Sequence, residues 1–301
     1  MPNPKARMEE LNQKRATRPT TIAITQQAEV TLKLPTWPGG VRGVPNAVLR
    51  SALFGVSRDQ IRPYLDHVAI PSLKGYAIEY SGPRLDQCDL DVWETVLHLA
   101  QSEAHGRKVE VDVSEILQLL GLTDTGPNRK NLKSRLNRLG STSLSIQAER
   151  FRYEGSLIDE VHCDLLPQKY EVRLNSELPR LFACDLYTRV QWNVRKELQG
   201  KPLAQWLHGF YATHAKPLPL KVETIQRLCG SETAELSKFT QLLRRALNRL
   251  VTASEVHDQQ FSYELKGERL FVMRKPSASQ HRHLKRKKDT VPAGSRTVTT
   301  R

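Results

Sequence analysis

An α+β protein made of two like domains in tandem is the fold the sequence predicts, and three observations predict it. First, the hydrophobic pattern writes the order helix, strand, helix, helix, β-hairpin twice, once from near Asp89 and once from near Arg195. Second, two short matches tie the halves together. Ile116-Leu-Gln-Leu-Leu-Gly121 matches Ile225-Gln-Arg-Leu-Cys-Gly230, and Leu136-Asn-Arg-Leu139 matches Leu247-Asn-Arg-Leu250, at offsets of 109 and 111 residues. Offsets this close belong to one duplicated unit. Third, both ends are polar, basic and without periodicity, so they fall outside the packed halves. A helix-turn-helix followed by a β-hairpin is a winged helix. The expected architecture is therefore two tandem winged-helix domains with disordered basic termini. The segments are a disordered basic N-terminus (1–28), a linker and N-terminal extension (29–84), a first winged-helix domain (85–190), a second (191–275) and a basic disordered tail (276–301).

Taken in order, Pro35, Pro38, Gly39, Gly40, Gly43 and Pro45 give 29–60 the composition of a linker with turns, ending in an apolar stretch from Val48 to Phe54. Val68, Ile70, Tyr76, Ile78 and Tyr80 alternate as strands. Leu90, Trp93, Val96, Leu97 and Ala100 recur at helical spacing, with Asp89 and Asp91 suited to the helix start. Val109–Val113 alternates as a strand, Ser114 is placed to cap the next helix, and Gly121 to stop it. A third helix runs from about Asn128 to Leu139. Strand-like stretches follow at 142–153 and 157–165, joined around Glu154-Gly155, and then a strand over Tyr170–Leu174. In the second half a helix spans 196–212, Pro217–Val222 is extended, and a helix over 223–229 ends at Gly230. A long helix covers 233–251, and Phe261–Leu265 and Arg269–Met273 form a hairpin over Lys266-Gly267-Glu268.

The 301 residues carry a formal net charge of +14, a balance that favours a polyanionic partner. Residues 1–28 hold +3 and 274–301 hold +8, so the middle is only +3. Within it, 85–118 has eight acids and two bases, whereas 126–152 has seven bases and one acid. The acids read as helix starts and as a solvated or partner-facing surface. No apolar run approaches the ~18 residues needed to span a membrane, and 1–28 lacks the apolar stretch of a signal peptide, so a cytoplasmic protein with no membrane partner is expected. Cys88, Cys163, Cys184 and Cys229 stand far apart, without a CxxC pair, and read as buried thiols, not as a disulfide frame or zinc site. There is no P-loop and no HExxH. His281-Arg282-His283 lacks the apolar middle residue of a nicking enzyme's metal pair, and His208-Gly-Phe-Tyr211 does not supply the HxxR element of a tyrosine recombinase. The expectation is a protein that is not an enzyme, with no catalytic residue, metal or cofactor.

The third helix of each half carries the chemistry. In the first, Leu132, Leu136 and Leu139 form one stripe, and Lys130, Lys133, Ser134, Asn137 and Arg138 lie opposite. In the second, Leu236, Phe239, Leu243, Ala246, Leu247 and Leu250 form the stripe, opposite Ser237, Lys238, Gln241, Arg244, Arg245 and Asn248. Neither outward face contains an acid. Arg and Lys can donate to guanine O6 and N7, and Asn or Gln can pair with adenine, while Ser and Lys can hold phosphates. The repeat places Asn137 and Asn248 at equivalent positions, which makes them the first candidates for adenine. These faces suit the major groove of double-stranded DNA; a plain solvated face is the bland alternative. The hairpins offer wing contacts through Arg150 and Arg152 in the first half and Lys266 and Arg269 in the second, or serve structure alone. The run from His281 to Lys288 either binds phosphate without sequence preference or keeps the chain soluble.

At these residues the chain resembles the TrfA-type plasmid replication initiators, from about Trp37 to Met273. The sharpest blocks are Pro45-Asn46 with Arg50-Ser-Ala-Leu-Phe54, Leu181-Phe-Ala183 with Asp185, Tyr187 and Thr188, and Pro219-Leu-Lys221 with Glu223-Thr224 and Cys229-Gly-Ser231. The resemblance implies binding to tandem origin repeats (iterons), opening of adjacent AT-rich DNA, and recruitment of a host replication initiator and the replicative helicase. It further implies a homodimer in solution and a monomer on iterons, with the first winged helix and its acidic segment also serving dimerisation. One departure stands out. The family's sliding-clamp motif, Gln followed by Leu and Phe, is unmatched in Val30–Trp37, so no clamp contact is carried over. Three other readings use the same features: a winged-helix transcriptional repressor at a plasmid promoter, which binds a palindrome; a DNA-processing enzyme, which nicks; and a partner-binding adaptor with incidental basic tails.

Overall fold

The structure, a computed structural model, describes residues 33–57, 61–103, 108–148, 151–164, 169–183 and 186–289. All lie in the compact unit Leu32–Arg301. The N-terminal segment expected to be disordered, 1–28, lies outside the described residues.

The stretch expected as a linker is part of the core. β1 (Val41–Pro45) is buried along its whole length and pairs antiparallel with Tyr187–Gln191. α1 (Asn46–Leu49) is buried throughout, as is β2 (Phe54–Gly55). The Pro and Gly residues that suggested a linker supply the turns, while Trp37, Val44, Val48 and Phe54 go inside. β3 (Tyr64–Ala69) and β4 (Tyr76–Pro83) make an antiparallel pair, and β5 (Leu85–Asp86) runs parallel to β2.

α2 (Gln87–Ala100) opens with a capping box. The Asp86 carboxylate accepts from the backbone N–H groups of Cys88 and Asp89, and the Asp89 carboxylate accepts from the Asp86 N–H. β6 (Lys108–Asp112) leads straight into α3 (Val113–Leu119), so Ser114 lies inside the helix instead of capping it. α3 stops at Gly121, φ +72°, where Leu122 N–H donates to Leu117 O and Gly121 N–H to Gln118 O. This is a Schellman ending, and a left-handed residue there favours glycine. α4 (Gly126–Gly140), capped by Thr125, packs Leu132, Leu136 and Leu139 inward against α2.

The two strand-like stretches that follow become three strands in two sheets. β7 (Ser143–Ala148) and β8 (Phe151–Gly155) extend β3 and β4 into a four-stranded sheet of order β3-β4-β7-β8. The hairpin that closes the first half comes later, as β9 (Glu160–Asp164) and β10 (Lys169–Arg173), giving the order β6-β10-β9. Alternation marks a strand but not its partner, so the sequence pattern joined the wrong pair.

After a 3-10 turn at Leu178–Phe182 and β11 (Tyr187–Gln191), the second half begins with α5 (Trp192–Glu197) and α6 (Pro202–Ala212). One helix was expected over 196–212; it is broken, and Pro202 opens the second piece because its missing N–H costs nothing in a first turn. β12 (Leu220–Lys221), α7 (Val222–Leu228), α8 (Leu236–Val256), β13 (Phe261–Lys266) and β14 (Arg269–Arg274) follow, with sheet order β12-β14-β13. The strand order thus repeats that of the first half, and so does the element order once β7 and β8, which belong to the other sheet, are set aside. α7 stops at Gly230, φ +64°, where Ser231 N–H donates to Gln226 O and Gly230 N–H to Arg227 O. Each of these bonds lies 109 residues beyond its counterpart at Gly121, the offset of the sequence repeat. Two apolar cores result, one spanning Leu34 to Trp192 and one spanning Val194 to Val272. α9 (Ala278–Asp289) stands where a disordered tail was expected, its start tied down by Gln280 donating to Ala212 O (2.8 Å).

Candidate nucleic-acid interface

α4 and α8 each bury a leucine stripe and expose the face expected to meet DNA. On α4, Leu132, Leu136 and Leu139 are at most 1% exposed, while Lys130, Lys133, Ser134 and Asn137 face solvent. With Pro83, Arg138 and Ser141 they line an open cleft of about 370 Å³. Arg138 is not free. Its Nε and NH2 donate to the Asp89 carboxylate (3.2 and 2.7 Å), and its NH1 donates to Ser134 Oγ (2.9 Å). Asp89 has no exposed surface; burial first, then the nearby Asp86 charge, raise its carboxyl pKa to about 6 against the pull of Arg138.

On α8, Phe239, Leu243, Leu247 and Leu250 are wholly buried, and Ser237, Lys238, Gln241, Arg244, Arg245 and Asn248 are exposed. Lys238 pairs with Glu235 (2.7 Å), just before the helix. Asn248 Oδ1 accepts from the Tyr263 hydroxyl (2.6 Å), which fixes the amide's orientation against β13. Arg249, exposed beside Arg245, was missed by the sequence reading. The signal was there, since the repeat that pairs Asn137 with Asn248 also pairs Arg138 with Arg249. Among the described residues, Arg244, Arg245 and Arg249 form no ion pair.

The wings differ. Lys266 and Arg269 are exposed at the tip of the β13–β14 hairpin, with Lys266 beside Glu264 (2.9 Å). Arg152 lies on β8, paired with Glu154 (2.5 Å), in the four-stranded sheet and not on the hairpin that closes the first half. Arg150 lies outside the described residues.

The acidic segment is only in part a surface. Asp86, Asp89, Asp91 and Glu94 are all buried, and each faces an arginine: Arg62 on Asp86, Arg138 on Asp89, and Arg195 on both Asp91 (2.6 Å) and Glu94 (3.4 Å). Glu110, Asp112 and Glu115 remain exposed. Arg42, also buried, stacks 4.4 Å from the Trp192 ring centre, and burial lowers its pKa to about 10 despite Glu94. Of the thiols, Cys229 is buried and Cys88 half-buried, but Cys163 is exposed, on β9; Cys184 lies outside the described residues. Among the described residues no three His, Cys, Asp or Glu side chains could hold a metal ion together, and no helix is long and apolar enough to cross a membrane.

These features define an α+β protein of two like-built halves, each presenting a cationic helix. Crystal structures of domains 2 and 3 of RctB share the fold. One aligns at a TM-score of 0.53 and 16% identity, the other at 0.50 and 15%, each covering 76% of this chain and 97% of the other. The chain belongs to the TrfA protein family, whose model matches residues 5–265. A curated relative, the plasmid replication initiator protein TrfA of Escherichia coli, is 28% identical over 222 residues, which cover 71% of this chain. The match covers 58% of that relative's length.

Proposed function

We propose that the chain is a sequence-specific DNA-binding initiator of plasmid replication, built on two winged-helix units whose recognition helices are α4 and α8. The observation that carries this reading is the paired exposure of two cationic, polar helix faces, at matched places in two halves with the same strand order. On α8, Arg244 and Arg245 suit guanine O6 and N7, and Gln241 and Asn248 suit adenine. Asn137 is the matching candidate on α4. Lys130, Lys133, Ser134, Ser237 and Lys238 suit phosphates and set register. Lys266 and Arg269 reach the flanking backbone. Arg138 acts through Asp89, as a positioning residue that fixes α4.

Two such helices on one chain can enter successive major grooves on one face of a duplex, about one turn or ~34 Å apart. The sites are tandem origin repeats, in keeping with the family. Occupancy of several repeats bends the origin, at a cost of about 1–6 kcal/mol per site that added contacts offset. Strain passed to neighbouring AT-rich DNA favours its opening, with binding energy as the source. A host initiator and the replicative helicase then load on the opened strand, and the protein exchanges between a dimer in solution and a monomer on DNA.

Footprinting on the cognate repeat tests the reading. Arg245→Ala with Asn248→Ala abolishes protection under α8 while the variant stays folded. Unchanged protection means that α8 does not read the site.

A further inference from the structure

The two halves meet along a seam bonded at three separate places. The first is ionic and buried. Arg195 of α5 reaches back to α2, where its Nε donates to Asp91 Oδ1 (2.6 Å) and its NH2 donates to the carbonyl and side-chain oxygens of Gln87 (3.2 Å each). Gln205 of α6 donates to the other Asp91 oxygen (3.0 Å). Arg195 is 1% exposed, and Asp91 and Glu94 hold its pKa above the ordinary value although burial opposes its charge. The second place lies behind α1. Arg50 donates to the hydroxyl and the carbonyl of Thr213 (2.8 Å each), and Trp206 Nε1 donates to Ser51 O (3.0 Å). The third grips the turn between α7 and α8. Val56 N–H donates to Cys229 O (3.1 Å), Arg84 donates to Gly230 O (3.3 Å), and Arg84 pairs with Glu232.

Bonds at three places restrain twist as well as bending, because rotation about any one strains the other two. The buried ionic part adds a penalty that an apolar seam lacks. Sliding leaves Asp91 or Glu94 in the core without its counter-ion, and an unpaired buried charge is far costlier than a lost methyl contact. The third place holds the turn between α7 and α8, so the restraint reaches the segment that leads into α8.

We propose that this seam is a spacing device, in which Arg195 and the Arg84–Glu232 pair fix the separation and phase of α4 and α8. The protein then accepts duplex DNA only when its two contacted segments lie at one distance. The inference rests on α4 and α8 being the DNA-reading helices. Inserting one base pair carries the far segment ~3.4 Å along the axis and ~34° around it. A loose tether absorbs that displacement, whereas a bonded seam does not.

The test starts with duplexes selected by the full chain from a random-sequence pool, with the two contacted segments located by footprinting. One to five base pairs are then added or removed between the segments. The wild-type chain loses affinity roughly tenfold or more for the first one or two base pairs, the order of a mismatched contact. Arg84→Ala with Glu232→Ala binds the shifted duplexes within roughly threefold of the original, and Arg195→Met relaxes the profile further. The Arg84–Glu232 pair is part-exposed (22% and 49%), so that variant keeps the test decisive if the Arg195 variant does not fold. Wild-type indifference to spacing overturns the proposal, as does a folded double variant with the wild-type spacing profile. A chain that selects no duplex at all overturns the DNA reading, and the spacing device with it.

Discussion

α4 and α8 occupy matched places in matched halves, yet their cationic faces are not equally free. Arg138 on α4 is spent on a buried carboxylate and also engages Ser134, leaving Lys130, Lys133 and Asn137 to face outward. Its repeat equivalent on α8, Arg249, lies exposed beside Arg244 and Arg245. α8 is also longer, 21 residues against 15. The same tetrapeptide pattern has been put to two uses. α4 is braced and offers mainly ammonium groups, which suit phosphates; α8 offers guanidinium forks, which suit base edges. On the proposed DNA reading, the first half is expected to set position and the second to carry most of the sequence discrimination.

The sharpest way to break this comparison is to truncate the two equivalent arginines. Arg138→Ala strands Asp89 in the core, and removal of one partner from a buried ion pair costs about 3–5 kcal/mol. Because the Asp89 carboxyl already sits near pH 6, its protonation relieves part of that loss below this value. Urea denaturation at pH 7.5 and pH 5 is expected to show a large deficit that narrows in acid. Arg249→Ala is expected to stay within about 0.5 kcal/mol of wild type at both pH values, as surface changes do. Equal effects at the two sites mean that Asp89 does not depend on Arg138.

Acid separates the halves in a second way. In the second half, His208 keeps Nδ1 buried without a partner among the described residues, and burial, then Arg195 and Arg274, lower its pKa to about 3. Burial likewise takes His214 to about 4. A histidine with a depressed folded pKa stabilises the fold above its unfolded value, near 6.5, and that contribution is lost as pH falls toward the folded value. In the first half, burial raises Glu94 to about 7 and Asp89 to about 6, so their contribution is present in acid and lost as pH rises through 6 to 7. His98, lowered to about 4, adds one acid-sensitive group to the first half. Between pH 6.5 and 4 the second half therefore weakens more. His208→Gln removes at most about 1.4 kcal/mol per pH unit from that acid limb, read from guanidinium midpoints across the range. An unchanged limb counts against a neutral imidazole in the fold.

For binding, Arg245→Ala is expected to cost about 1–3 kcal/mol on the cognate repeat and to relax specificity at one position, with no change in melting temperature. Lys133→Ala on α4 is expected to weaken cognate and random duplexes alike and to lower the salt slope by about 1. Competition binding with mutated repeats distinguishes them, and a sequence-selective effect at Lys133 reverses the division of labour drawn above.

What the sequence revealed and what it hid follow from range. The leucine stripes, the glycine stops and the repeat are local or periodic, and each stands where its spacing placed it. The burial of Asp89 and Asp91 was hidden, because their counter-ions come from 49 and 104 residues away. Val41–Leu49 was hidden by the prolines and glycines around it, and Val41–Pro45 takes its place by pairing with β11, from Val41↔Gln191 to Pro45↔Tyr187, a distant partner that no local pattern marks. The blocks that carried the family resemblance had no visible role for the same reason. In three dimensions two of them meet, Thr188 donating to Asn46 Oδ1 (2.7 Å), while Arg50 of the first block binds Thr213 and Cys229 O of the third accepts from Val56 N–H. Arg50, Ser51, Cys229 and Gly230 sit at the joint between the halves, and none of the block residues lies on the exposed faces of α4 and α8, so surface chemistry gives them no role.

The smallest expected effect concerns the hairpins. Lys266 and Arg269 stand at the tip of the β13–β14 hairpin, directly after α8 in the fold. Each is expected to contribute under about 1 kcal/mol and to steepen the salt dependence by about one released counter-ion if it meets a phosphate. Lys266 shares its charge with Glu264, so Arg269→Ala is the stronger variant. Arg152→Ala is expected to change neither affinity nor slope, since its guanidinium is paired with Glu154 on a sheet that belongs to neither hairpin. Fluorescence anisotropy between roughly 50 and 200 mM salt resolves a difference of one counter-ion. A flatter slope for Arg152→Ala places the four-stranded sheet on the DNA. Pro83 at the end of β4 already lines the cleft beside Lys130 and Lys133, so the first half then grips the duplex from α4 and this sheet together.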